Sequence, residues 1–289
     1  MNIPKRHHFV PQFFMKPWFL EGNPKCENTK EKKIFYPSSP SQLGLKKHLY
    51  KFGDLEIESQ FITPYIDNPL HESVIKVTDP KNKWDMLPYK VKEDFFKFLL
   101  LLDARQPASI ESMKKVYKGM MNDFDFSKLP DKHLLKEFLN NDMCAFICIA
   151  IHELELHDFD QTKNKEFKLM LNYIKVYLNK LEDNGSLFPN FLSKLLGSDN
   201  MCKEIVSKEN VFITSISPVR RMGAYDSKFL TVLSLSPNKC IIFSNSSKMI
   251  DAITNHDKDQ VIKNINELNT KELSDFMPIP EIIIYPEVK

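Results

Sequence analysis

The chain has 289 residues, of which 42% are hydrophobic and 27% charged, a balance that excludes disorder throughout and supports a sizeable core. Its longest apolar run, Phe98 to Leu102, is far short of a bilayer span, and no charged-then-apolar leader opens it, so no membrane association and a cytoplasmic location are expected. The net charge of +2 hides an asymmetry: residues 1–53 hold ten Lys and Arg against three Glu, which is +7 and leaves −5 on the rest.

In chain order, residues 1–85 are rich in Pro, Asn, Ser and Lys, and apolar pieces such as "KKIFY" and "HLYKF" predict short strands or turns rather than long helices. This basic arm attracts phosphate, so nucleic acid or a phosphate-bearing ligand is the expected partner class. A solvated lysine-rich surface is the competing explanation.

Residues 86–204 read as a helical bundle. "YKVKEDFFKFLLLLDARQP" ends before Pro107, "SIESMKKVYKGMM" follows, and "DKHLLKEFLNNDMCAFICIAIHELELHDF" spaces its apolar residues by three and four. In "TKNKEFKLMLNYIKVYLNKLEDNG" the residues Leu169, Tyr173, Val176, Tyr177 and Leu181 predict the buried face, with Gly185 near the end. Residues 205–289 shorten their period to that of strands in "NVFITSISPV", "KFLTVLSLSP", "KCIIFSN" and "IIIYP", with helix in "KDQVIKNINELNTKELSDF". The whole is expected to be α+β: a central bundle, an irregular small-strand arm before it and a small α/β part after it, packed as one integrated domain over 1–289.

Five cysteines, Cys26, Cys144, Cys148, Cys202 and Cys240, are odd in number and scattered, which predicts reduced thiols. Cys144, Cys148 and His152 are spaced by four and would share a helix face; apolar burial of the thiols explains this more simply than a metal does. "HELELH" sets His152 and His157 five apart, about 140° around a helix, so they cannot jointly face one zinc. Neither a phosphate-cradling glycine loop nor a dinucleotide fingerprint is present, in keeping with only 7 glycines.

The opening "PKRHHFVPQFF" puts His7 and His8 beside a basic pair and an apolar patch. "HHFVPQFFMKPW" resembles the start of a widespread bacterial family of unknown function whose members begin HHYVPQFYL. "LYKFGDLEIE", "FLLLLDARQP" and "FITSISPV" followed by "LSLSP" match that family in order over most of the chain. Where the family usually reads FITSDxPV this chain has Ile216, so any chemistry carried by that carboxylate in relatives is in question here.

Adjacent histidines before a short apolar residue and Pro also resemble the HHxVP-type strand of His-Cys-box and HNH-like nucleases. That likeness implies a metal-dependent nuclease acting on phosphodiesters, with His7 as ligand of a divalent ion, His8 as the base that activates water and the basic arm holding the backbone. The helix that should complete such a unit is interrupted by prolines, and Asn23, Asn28 and His48 lack suitable spacing. The alternative is a non-catalytic nucleic-acid or ligand-binding module of a bacterial conflict system, in which His7, His8 and Gln12 recognise the ligand. A third reading makes the imidazoles hydrogen-bonding plugs of a buried arm. Against 36 Lys the chain uses only Arg6, Arg105, Arg220 and Arg221, which marks Arg105 as a guanidinium chosen for geometry or, more simply, as a helix-end charge paired with Asp103. The expected site is therefore His7, His8, Gln12 and Arg105, with Ser215 and Ser217 added from the family-like segment.

Overall fold

The computed structural model describes residues 6–47, 51–52, 55–111, 143–156, 159, 162–183, 196, 201–224, 227–273 and 277–287. Over these residues the protein is α+β, with several antiparallel sheets packed against helices. The N-terminal arm supplies β1 (Arg6–His8), the short α1 (Gln12–Met15), β2 (Lys25–Asn28), β3 (Lys33–Phe35), β4 (Leu45–Lys47), β5 (Lys51–Phe52) and β6 (Leu55–Glu56).

The arm departs from the sequence reading after residue 57. A ten-residue π-helix, Glu58–Asp67, runs directly into α2, Asn68–Thr78. Pro64 and Pro69 suggest breaks in the sequence, yet both sit inside this continuous helical run, each at the loss of one backbone hydrogen bond. Phe61, Ile62, Tyr65, Ile66, Leu70, Val74 and Val77 supply the buried face that stabilises both helices.

The central helices are α3 (Tyr89–Ala104), α4 (Cys144–Glu153) and α5 (Lys165–Asp183). Nearly all of α4 is buried, and all five cysteines are reduced thiols. On α5 the buried stripe is Phe167, Met170, Leu171, Ile174 and Leu178, while Leu169 and Val176 face solvent. The sequence holds two apolar stripes of helical period, and the one containing the aromatic Phe167 is the one the core takes. Of the helix expected over "SIESMKKVYKGMM" only the first residues are described, and "DKHLLKEFLNN" lies outside the described residues.

The C-terminal part begins with β7 (Met201–Val206), a strand within the stretch expected to be helical. It joins β11 (Lys239–Ser244), β10 (Leu230–Ser236) and β9 (Arg220–Met222) in an antiparallel sheet of order β7-β11-β10-β9. Every residue of β10 and β11 is buried. Leu233, Leu235, Ile241 and Phe243 face the main core, whereas Leu230, Val232, Cys240 and Ile242 face a second core closed by α6 (Ser247–Thr254) and α7 (Lys258–Thr270). The alternation follows from the period of two along a strand. A second sheet, β3-β2-β12-β8, places β12 (Ile282–Tyr285) between β2 and the two-residue β8 (Thr214–Ser215).

Candidate functional site

The site starts from the pairing of β1 with β4, which sets Arg6 opposite Lys47, His7 opposite Lys46 and His8 opposite Leu45. The pairing extends through the Phe9 N–H to the Gly44 carbonyl. Gly44 has φ +61°, and a Cβ there would lie 3.1 Å from that of Val10, so glycine permits both the turn and the approach.

Neighbours on a strand point to opposite faces, and this separates the two imidazoles. His7 is fully buried, with Nε2 3.4 Å from a carboxylate oxygen of Glu56. His8 is half-buried, and its Nε2 lies 3.3 Å from the Ser41 carbonyl. Burial lowers the His8 pKa; the bond to Ser41 opposes that, and nearby His7 adds to the lowering. His8 is therefore a neutral imidazole near pH 7.

Three carboxylates gather here: Glu56 against His7, Glu58 at the His8 backbone, and Asp67 near Glu58. The π-helix explains how two of them meet. With about 4.4 residues per turn, nine residues complete close to two turns, so Glu58 and Asp67 return to one face. Wound as an α-helix, the same residues would stand about 180° apart. Burial pushes the Glu58 carboxyl up to about 7, helped by the charges of Asp67 and Glu56 and opposed by Arg105 and by the His8 backbone N–H. Glu58 thus senses the first strand, the π-helix and α3 at once.

Arg105 stands at the C-terminal end of α3, fully buried. Its Nη2 donates to Asp67 Oδ1 at 2.9 Å, and its guanidinium lies 5.6 Å from the Phe146 ring centre. Asp103, the local partner the sequence suggests for it, accepts instead from Arg221 Nε at 3.0 Å and from Gln106 Nε2 at 3.2 Å. Gln106 also donates to the Val219 carbonyl. The "DARQ" turn therefore ties the helical body to β9, next door to the Glu58 cluster.

The remaining expected residues stand elsewhere. Gln12 is exposed at the start of α1, where its carbonyl accepts the Lys16 N–H. Ser215 Oγ donates to the Ser217 carbonyl at 2.9 Å and accepts the Ser217 N–H at 3.2 Å, which locks the turn after β8; Ile216 is buried. Arg220 donates to the Leu268, Lys271 and Met277 carbonyls, and burial lowers its pKa to about 10, so it serves the packing of α7. Asn28 accepts from the Lys30 and Glu31 N–H groups in the β2–β3 turn, and His48 lies outside the described residues.

Among the described residues no group of three or more His, Cys, Asp or Glu side chains is arranged to hold a metal ion. Among these residues the divalent ion expected at His7 has no such ligand set. Cys148 lies in the apolar body of α4, where burial and the neighbouring Cys144 hold its thiol well above the usual range.

The model of the family described as "Protein of unknown function (DUF4238)" matches residues 6–274. The chain belongs to this family. The DUF4238 match begins at the first residue of β1 and runs past the end of α7, so it takes in both imidazoles, the π-helix, the "DARQ" turn and all of both cores except what β12 adds. No curated protein and no solved structure matches the chain. No helix among the described residues is long and apolar enough to cross a membrane.

Sequence reasoning missed Glu56, Glu58 and Asp67. One signal for the first two is present: after Glu31 the basic arm has no acidic residue until Asp54, and Glu56 and Glu58 then follow at strand spacing within the family-like "LEIE". Asp67 has no such signal, because its meeting with Glu58 depends on π-helical winding.

Proposed function

We propose that this protein hydrolyses phosphodiesters, with Glu58 as the proton acceptor and donor, His8 as the second acid–base group and the β1–β4 ribbon as the surface that meets the backbone. The observation carrying this reading is the setting of Glu58, a half-buried carboxyl bonded by the His8 N–H, beside Arg105 and titrating at about 7. A carboxyl poised there takes a proton from water as readily as it returns one to a leaving oxygen. Arg105 positions the carboxylates through Asp67. Arg6, Lys46 and Lys47 share the ribbon with the histidines, which suits a polyanion.

The test is cleavage of single- and double-stranded DNA and RNA by the full-length protein, with a divalent ion and with chelator. Cleavage is expected to rise with pH through about 7 as Glu58 gives up its proton. Glu58→Gln and His8→Ala should each lower it about a hundredfold or more while the unfolding midpoint shows that the protein remains folded. Failure of the folded protein to cut any of the four substrates under either condition overturns the reading.

A non-catalytic binding module is the second reading, favoured by the cationic residues that the β1–β4 ribbon carries beside the histidines. It is distinguished by salt-sensitive association with nucleic acid without turnover.

A further inference from the structure

A cleft of about 400 Å³, a size usual for small-ligand sites, is lined by none of the residues of the Glu58 cluster. Its apolar lining comes from three places in the chain: Phe13, Trp18 and Leu20, then Ile75 and Pro80 at the end of α2, and Pro237 of the β10–β11 turn. Leu20 is 80% and Ile75 41% exposed, apolar surface left to solvent.

Two side-chain amides share this lining. The Ser207 N–H donates to the Asn238 carbonyl at 2.9 Å and the Val211 N–H to the Pro237 carbonyl at 2.8 Å, which sets Asn210 beside the turn that carries Asn238. Asn238 Oδ1 accepts from the Ser236 hydroxyl at 2.8 Å, and its Nδ2 meets no acceptor among the described residues. Asn210 is spent the other way round: its Nδ2 donates to Glu21 Oε2 at 3.0 Å and to the Glu287 carbonyl at 3.4 Å, and its Oδ1 takes no donor among the described residues. One amide donor and one amide acceptor are thus left beside the apolar lining. Charge does not decide the ligand. Lys16 in the cleft and Lys208 in the adjoining hollow stand among Glu21, Asp79, Glu209 and Glu287, with Glu21 bonded by Asn210 and Asp79 by the Lys81 N–H.

We propose that this cleft binds an uncharged heteroaromatic ring whose edge carries a hydrogen-bond acceptor next to a donor, the chemistry of a free nucleobase or nucleoside. The ring covers the apolar lining, its acceptor takes an N–H of Asn238 and its donor gives to Asn210 Oδ1. A plain hydrocarbon would strip water from both amides without replacing it, and a phosphate would meet more carboxylates than lysines, so both are disfavoured. The site is separate from Glu58 and does not depend on any activity there.

The test is calorimetric titration of the full-length protein with three probes: adenosine, purine riboside, which lacks the exocyclic amine, and adenosine 5′-monophosphate. Adenosine should bind saturably, purine riboside about fivefold more weakly for want of the donor, and the monophosphate no more tightly than adenosine. Asn238→Ala should weaken adenosine and purine riboside alike, about fivefold, because both carry the ring-nitrogen acceptor. Ile75→Lys, at a position already partly exposed, should also weaken both while unfolding curves show an intact fold. No saturable binding of adenosine by folded protein, equal affinity for adenosine and purine riboside, tighter binding of the monophosphate, or adenosine binding unchanged by both substitutions overturns the proposal.

Discussion

A carboxyl that keeps its proton to about pH 7 in the fold makes stability depend on pH. In the unfolded chain Glu58 ionises in the usual carboxylate range, so the folded state binds its proton more tightly. The associated stabilisation is complete in acid below that range and is lost as pH rises toward 7, with no further change above. Removing the group removes the slope: relative to the native protein, Glu58→Gln should gain on the order of 1–2 kcal/mol between pH 4 and pH 8, after allowance for solvent screening of a half-buried group. Urea unfolding of both proteins at the two pH values measures this, and parallel pH profiles would refute the assignment. At this scale the sequence displayed His7, His8 and Arg105 through their rarity and adjacency, while their partners were concealed. Glu56 and Glu58 look like ordinary surface acids until the strand and the π-helix turn them inward. Asp103 looked like the neighbour of Arg105 on a helix end, yet the turn there aims Arg105 at Asp67 and leaves Asp103 to Arg221.

Elements are held together by a few buried charges as well as by apolar faces. Lys239 on β11 donates from Nζ to the Asp79 and Asn82 carbonyls beyond α2 and pairs with Glu204 on β7 at 2.7 Å. It thus fastens the end of α2 to the sheet and favours that helix terminus electrostatically. Lys239→Met leaves the nearly buried Glu204 without its cation, still bonded by the Trp84 N–H, and should cost about 3 kcal/mol. Pairing it with Glu204→Leu should recover more than half of that loss, because the orphaned charge is gone. Chemical denaturation of the three variants checks both, and equal losses in the single and double variants would show that the helix-end carbonyls, rather than Glu204, set the cost. Strong periodic stretches such as α3 were legible at this scale. The buried face of α5 was misread because two stripes of the same period compete, and the helices at 58–78 were misread because Pro64 and Pro69, which a continuous helical run carries inside it, read as helix breakers.

For the molecule as a whole, the arm belongs to the body's core. Phe9, Val10, Phe14, Met15 and Trp18 are each at most 4% exposed and lie in one apolar cluster with α2, α3, α4 and the inner face of β10 and β11. Five such side chains at about 1.5–3 kcal/mol each sum to roughly 7–15 kcal/mol, as large as the whole stability of a typical domain. Deleting residues 1–20 should therefore abolish cooperative unfolding, followed by circular dichroism against urea. A truncated protein that still unfolds sharply at the native midpoint would mean that the arm merely rests on the body. The α+β class was legible because hydrophobic period changes along the chain; the joining of β2 to the last strand was not, since nothing local in "KCEN" or "IIIY" names its partner.

That joining has a consequence for how the protein is made. Asn28 of β2 pairs with Ile282 of β12, a separation of 254 residues. At synthesis rates of about 5–20 residues per second, β2 waits roughly 13–50 seconds for the strand that covers its inner edge. Throughout that interval a growing chain displays a half-built sheet that any neighbouring nascent chain could extend. Lys25, Lys30, Lys32 and Lys33 outnumber Glu27 and Glu31 on and beside this hairpin, a net positive charge that opposes pairing between two such hairpins. Part of the positive charge that opens the chain thus has a use during translation, independent of any ligand the finished protein meets.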